Sequence, residues 1–286
     1  MKKTLVALLF TALLAASCGN NGEQKVMARA VPERADDFVF ENNLVAGRFY
    51  GKALEGNPTS PGLDIWVKQP GALVADTWYA EAQKDPGYYH HDHGGKDCYK
   101  VAVSLGGGAS VPYIDNKLRY PATNYRTCEV KSITPDEVTF VLGYPAWDAY
   151  EGISVSLSKE VTLRADSYFA DVTDTYTFTG TDSLTIAAGI KLHGAQDTVV
   201  KSMFESGVLA IWERASDQGA EPEDGLIGVA LVMPDADEMG VIDDHAVVFK
   251  MIGSGQPVSY RIGSCWSKAR INKPEKWFSL VKKQMK

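Results

Sequence analysis

Apart from one short apolar run, Leu5 to Leu14, apolar and polar residues alternate with a period of two along most of the chain. β-Branched and aromatic residues at every second position predict strands over Leu44–Tyr50, Asp64–Lys68, Tyr99–Leu105, Arg126–Ile133, Val138–Gly143 and Ile153–Leu163. The same pattern continues over Tyr168–Phe178, Leu184–Leu192, Val208–Trp212, Leu226–Met233, Val247–Ile252 and Val258–Gly263. Glycine-rich turns such as Gly106-Gly107-Gly108 and Gly253-Ser254-Gly255 separate them. So many strands without helices between them exclude a βαβ arrangement and predict an all-β protein of stacked antiparallel sheets. Helical spacing is confined to Ala72–Ala82 and the C-terminus. There Pro274 and Glu275 lead into Trp277, Leu280, Val281 and Gln284, and Lys282, Lys283 and Lys286 sit where the helix dipole favours cations.

The apolar run is too short to span a bilayer and has the form of an export leader. Lys2 and Lys3 precede it, and Ala15, Ala16 and Ser17 lead to Cys18. A cysteine directly after small residues resembles a bacterial lipoprotein cleavage box, with Ala15 where a leucine is usual; ordinary secretion is the alternative. The expected organisation is a signal peptide over 1–17, a polar lipoprotein tether over 18–35, and one β domain over 36–286. Lipidation at Cys18 would hold the protein in the cell envelope, on a periplasmic or outer-membrane face, with no other membrane contact. Cys98, Cys128 and Cys265 show no Cys-x-x-Cys spacing, and their pairing is open. The 286 residues are 45% apolar and 23% charged, as in ordinary globular domains. A net charge of −7, with no Lys/Arg cluster to offset it, argues against a nucleic-acid partner. Oligomeric state is left open by the pattern.

Three of the five histidines fall in Tyr88-Tyr89-His90-His91-Asp92-His93-Gly94-Gly95-Lys96-Asp97-Cys98-Tyr99-Lys100. If this segment is extended, His91 and His93 share one face and His90 and Asp92 the other. Two imidazoles so spaced can ligate a metal or frame a substrate, but no Glu or Cys at zinc-site spacing accompanies them, so no metal is expected. Arg48, Lys68 and Lys100 lie in otherwise apolar segments, so each must reach water, a partner or a ligand. Together they would form a cationic spot for a carboxylated sugar. Among the tryptophans, Trp66, Trp147 and Trp266 are candidates for a sugar-stacking face, and equally for core. His193 ends a buried strand beside Gly194, and His245 follows Asp243 and Asp244, which could orient it. No Gly-x-Ser-x-Gly elbow, Walker loop, His-Glu-x-x-His or EF-hand loop occurs, and no cofactor motif is present.

Several stretches together resemble a bacterial family, domain of unknown function 4861. They are Phe40-Glu41-Asn42, Arg48-Phe49-Tyr50-Gly51, Gly62-Leu63-Asp64-Ile65-Trp66-Val67-Lys68, Tyr89-His90, Asp92-His93-Gly94, Asp97-Cys98-Tyr99-Lys100-Val101, Pro145-Ala146-Trp147 and Tyr260-Arg261-Ile262-Gly263-Ser264-Cys265-Trp266-Ser267-Lys268. Here a third histidine, His91, stands between the Tyr-His and Asp-His pairs. The resemblance implies an antiparallel β-supersandwich similar to galactose mutarotase, and company with machinery that degrades acidic polysaccharides. It assigns no catalytic residue. The expected function is therefore general acid/base proton transfer on an oligosaccharide containing uronic acid, of lyase, dehydratase or epimerase type. His93, His193, Tyr89 and Lys100 are the catalytic candidates; Arg48, Lys68, Trp66, His91, Asp92, Trp147, His245 and Trp266 are the binding candidates. A non-catalytic carbohydrate-binding lipoprotein is one alternative. A glycoside hydrolase is another, with Asp64, Asp92, Asp97 and Glu213 as carboxylates without a spacing signature.

Overall fold

The computed structural model describes residues 23–55, 61–193, 199–218 and 220–286. The expected signal peptide and Cys18 lie outside these residues. In chain order the strands begin with β1 (Val26–Val31), β2 (Asp37–Asn42), β3 (Ala46–Phe49) and β4 (Asp64–Lys68). Helix α1 (Ala75–Ala82) precedes β5 (Gly95–Asp97), β6 (Ala109–Ile114) and β7 (Lys117–Leu118). A run of long strands follows: β8 (Thr127–Ile133), β9 (Glu137–Tyr150), β10 (Ile153–Arg164) and β11 (Phe169–Thr179). Then come β12 (Leu184–Lys191), β13 (Val199–Glu205), β14 (Val208–Arg214), β15 (Leu226–Val232), β16 (Glu238–Ile242), β17 (His245–Ile252) and β18 (Pro257–Trp266), before helix α2 (Pro274–Lys282).

These strands form three sheets: β1-β2-β3-β4-β5, β13-β14-β15-β18-β11-β10-β9-β8, and β16-β17-β12-β6-β7. Pairing within them is antiparallel, and a parallel bridge, Leu63 to Gly106, links two connecting segments. Both five-stranded sheets pack on one face of the eight-stranded sheet. Phe38 and Phe40 meet Phe140 on one side, and Ile186, Ala188 and Val248 join Leu209, Ile211 and Val229 on the other. Period-two alternation makes this possible. In β14, Leu209 and Ile211 enter that core while Val208, Ala210 and Trp212 face the opposite side, where α2 covers them with Trp277, Phe278 and Val281. Helix α1 covers the outer face of the first sheet through Trp78 and Tyr79.

Two expectations change here. The segment read as tether already contains β1, paired along its length with β2, with Val26 and Val31 buried, so the folded body reaches back to Val26. The strand expected over Tyr99–Leu105 is a loop, and the ladder in this region is the short β5 instead. Side chains satisfy that loop's backbone. The Lys100 amide donates to Gln218 Oε1 at 3.0 Å, the Lys100 carbonyl accepts from His193 Nε2 at 2.6 Å, and the Leu105 amide donates to His245 Nε2 at 3.1 Å. With its polar groups bound in this way, the segment has no need of a ladder partner. At Gly95 (φ +150°) an added Cβ would lie 2.3 Å from the Val67 carbonyl, so glycine lets β5 close against β4 rather than against a ligand.

Candidate functional site

Charged residues in the first sheet take partners within the protein, although Arg48 Nη1 and Asp64 Oδ1 are buried without a hydrogen bond among the described residues. Arg48, 3% exposed, donates from Nε to Asp64 and from Nη2 to Asp97, each at 2.7 Å, and its guanidinium lies among the rings of Tyr50, Trp66 and Tyr89. Asp37 approaches it at 3.5 Å. Lys68 is equally enclosed, donating to Glu41, the Asn42 carbonyl and the Ala72 carbonyl. Glu41 in turn accepts from the amides of Val74 and Ala75, which open α1. The cationic spot expected from Arg48 and Lys68 is therefore a pair of internal ion networks, because a charge in a sheet with both faces covered takes a partner rather than solvent.

The aromatic candidates share that fate. Trp66 is packed against Trp78, Tyr79 and Tyr89; Tyr89 is buried and accepts from Arg34 Nε at 3.3 Å. Trp147 belongs to the main core, and Trp266 is buried with its Nε1 donating to the Asp224 carbonyl at 2.6 Å. None of these rings offers a face to a sugar. His245 is buried with both nitrogens engaged, by the Asp243 carbonyl and the Leu105 amide, and burial pushes it down to about 4, so it stays neutral.

The histidine-rich segment is not extended. Tyr88–His90 form a single 3₁₀ turn, which undoes the two-face reading. His93 stacks on Tyr88 with ring centroids 3.8 Å apart, on the outer surface. Asp92 accepts from the Gly94 and Gly95 amides and pairs with Lys268 at 2.7 Å; these contacts hold it ionised, although burial opposes them, and its pKa is lowered. His90 and His91 face a concavity of about 450 Å³ lined also by Lys96, Asp97, Tyr99 and Lys100. His90 Nδ1 lies 3.3 Å from the Asp97 carbonyl and 3.9 Å from its carboxylate. Since a carbonyl only accepts, Nδ1 carries the proton in the neutral ring, and Nε2 keeps its lone pair. Behind it, the Asp97 carboxylate is pushed up by burial and held by Arg48. Lys96 is fixed to Asp224 at 2.8 Å, whereas the exposed Lys100 ammonium makes no ion pair among the described residues.

Next to this concavity lies a second of about 340 Å³, reached past Lys100 and Gln218 and lined by Lys191, His193 and Asp244. His193 is buried, its ring edge-on to Tyr99, with Nδ1 2.9 Å from Glu213 and Nε2 2.6 Å from the Lys100 carbonyl. Both contacts are acceptors, so the ring is asked to donate twice. Gln218 Nε2 donates to Glu213 at 2.9 Å, closing a ring of contacts that runs from the Lys100 amide through Gln218, Glu213 and His193 back to the Lys100 carbonyl. The sequence candidates that meet along this groove are thus His91, Lys100 and His193. His90, Asp97, Gln218 and Glu213 join them without having been singled out as a group. His90 and Asp97 could have been found from their place in the same motif, but nothing local ties Gln218 to Lys100.

Among the described residues no group of three His, Cys, Asp or Glu side chains could hold a metal, and no helix is long and apolar enough to cross a membrane. The cysteines Cys98, Cys128 and Cys265 are free.

A family model described as a domain of unknown function (DUF4861) matches residues 16–286. Uncharacterized protein P7 of Formosa agariphila is 35% identical over 216 residues, covering 72% of this chain and 51% of that relative, so the chain spans about half the relative's length. Among solved structures, a galactose mutarotase related enzyme from Lactobacillus acidophilus superimposes with a TM-score of 0.34 at 9% identity, over 80% of this chain and 97% of that one. A 4-alpha-glucanotransferase from Thermococcus litoralis gives 0.33 at 10% identity, over 85% and 40%.

Proposed function

The chain belongs to the family of domain of unknown function 4861, and from its groove we propose that it binds an oligosaccharide containing uronic acid and transfers a proton on it. One observation carries this reading: two exposed imidazoles, His90 and His91, and a lysine, Lys100, that makes no ion pair among the described residues line a single concavity. Lys100 would neutralise the sugar carboxylate, which makes the adjacent C–H more acidic and stabilises the enolate-like charge that forms when it breaks. His90 Nε2 would take that proton. In elimination the C–O bond to the leaving sugar breaks as the ring double bond forms, and His91 returns a proton to the departing oxygen. In epimerisation the proton returns to the opposite face of the same carbon. Positioned acid–base groups of this kind contribute roughly 10²–10⁴-fold.

The mature protein, incubated with pectin, ulvan and glucuronan fragments, is expected to raise the absorbance of a new 4,5-double bond or to change the configuration of a sugar unit. His90→Ala should abolish the change. Unaltered mass, absorbance and configuration of every fragment would sink the catalytic reading. Binding without turnover is the second reading, favoured by the engagement of both His193 nitrogens within the protein. Calorimetric binding lost in Lys100→Ala, with no product, would select it. The proposal places the protein in the cell envelope, anchored through Cys18. Fatty-acid labelling that persists in Cys18→Ala would refute that anchor.

A further inference from the structure

Resting on that reading of the groove, we infer that the ligand is a run of consecutive acidic sugar units occupying two subsites, with Lys191 binding the carboxylate of the second. The two concavities share Lys100 and Gln218 in their linings, so a ligand anchored at the Lys100 ammonium lies at the boundary of both. Each is within the ~300–1,000 Å³ range of ligand sites. The partition is rigid. Gln218, 6% exposed, spends its carbonyl on the Lys100 amide and its amide on Glu213, so it shapes the junction rather than contacting ligand.

Chemistry distinguishes the far end. Lys191 closes β12, its amide fixed to the Gly106 carbonyl at 2.8 Å, while its ammonium is 3.9 Å from Asp244, a long contact with a carboxylate that is 79% exposed. A ligand carboxylate can displace so weak a partner at little cost. The other groups facing this subsite are accounted for. His193 is held by Glu213 and the Lys100 carbonyl, and neighbouring His245 by the Asp243 carbonyl and the Leu105 amide. In the first subsite Lys96 belongs to Asp224, and the acids on the wall are Glu221 and Asp97, the latter held by Arg48. Two lysines without tight partners among the described residues, lining two adjoining concavities on a protein of net charge −7, match a chain with a carboxylate on successive units.

Titration calorimetry of the mature protein with glucuronic acid and size-defined oligoglucuronates tests this, with neutral cello-oligosaccharides of equal length as the control. Affinity is expected to rise from the single sugar to the trimer by up to about fivefold, the upper range for one exposed ion pair. In Lys191→Ala that gain should disappear, with a cooperative thermal transition showing that the variant is folded. Equal affinity for all lengths, an undiminished gain in Lys191→Ala, or equally tight neutral chains would overturn the two-subsite inference while leaving single-sugar binding in place. No binding of any acidic probe would overturn the underlying reading of the groove as well.

Discussion

Lys159 and Asp174 stand opposite each other in the β10–β11 register, the side chains 1% and 0% exposed, joined by two contacts of 2.8 Å. Tyr260 and Ser110 also donate to Asp174. Such a network fixes the sheets' relative placement only while each member keeps its partner. Lys159→Ala should therefore cost about 3–5 kcal/mol by urea unfolding, since it strands a buried charge, whereas replacing both residues with apolar ones should cost much less. Around Arg48 the acids outnumber the bases. Burial pushes Asp37 up to about 6 and, with the nearby Asp97 charge adding to it, Asp64 up to about 7. Their unfolded values are about 3.9, so from about pH 4 to 7 the folded state holds more protons than the unfolded one. These acids thus make stability fall as pH rises through that window. Relative to wild type, Asp64→Asn should fare better at pH 8 than at pH 5; a deficit that widened with pH would contradict the assignment.

The period-two signal located most of the long strands, because all of those except β8, whose residues are exposed throughout, have one face in a continuous apolar core. It failed where a core position is polar. In β2, Asp37, Glu41 and Asn42 are fully buried beside Phe38 and Phe40. Apart from the neighbouring Arg34, their partners come from distant segments: Arg48, Lys68, and the carbonyls of Arg164 and Ser167. Nothing in the local pattern announces such partners, so a strand of this composition reads as polar chain. The loop after β5 erred the other way, with an apolar, strand-like sequence whose backbone bonds go to the side chains of Gln218, His193 and His245. The C-terminal helix was legible from its spacing, start signal and terminal lysines together. There Trp277, fully buried, stacks on Phe169 at 5.4 Å and lies against Gly228. Trp277→Ala should lower stability by about 3–5 kcal/mol, the usual cost of emptying a large aromatic site. A loss below about 1 kcal/mol in denaturant titration would mean that α2 is not integral to the fold.

At the scale of the molecule, the groove exists because three sheets meet unevenly. The first sheet supplies Asp97 at the end of its short last strand, the third supplies Lys191, and the eight-stranded sheet supplies Glu213 from β14, followed closely by Gln218. Lys100 sits on the loop between the first two. It owes its position to residues that follow β14 and β12, because Gln218 grips its amide and His193, backed by Glu213, grips its carbonyl. This arrangement makes Gln218 a positioning residue whose influence on the ligand passes through Lys100. Gln218→Leu keeps roughly the volume of the side chain but releases the amide, so the loop can carry the ammonium away from the groove. It should weaken oligouronate binding by about as much as Lys100→Ala. In the double variant the losses should not add, since a lysine already removed has no position to lose; neighbours coupled in this way depart from additivity by about 0.5–3 kcal/mol. Calorimetry on the two single variants and the double variant measures that coupling. Strictly additive losses would show that Gln218 meets the ligand independently, and the ring of contacts around Lys100 would then be scaffolding alone.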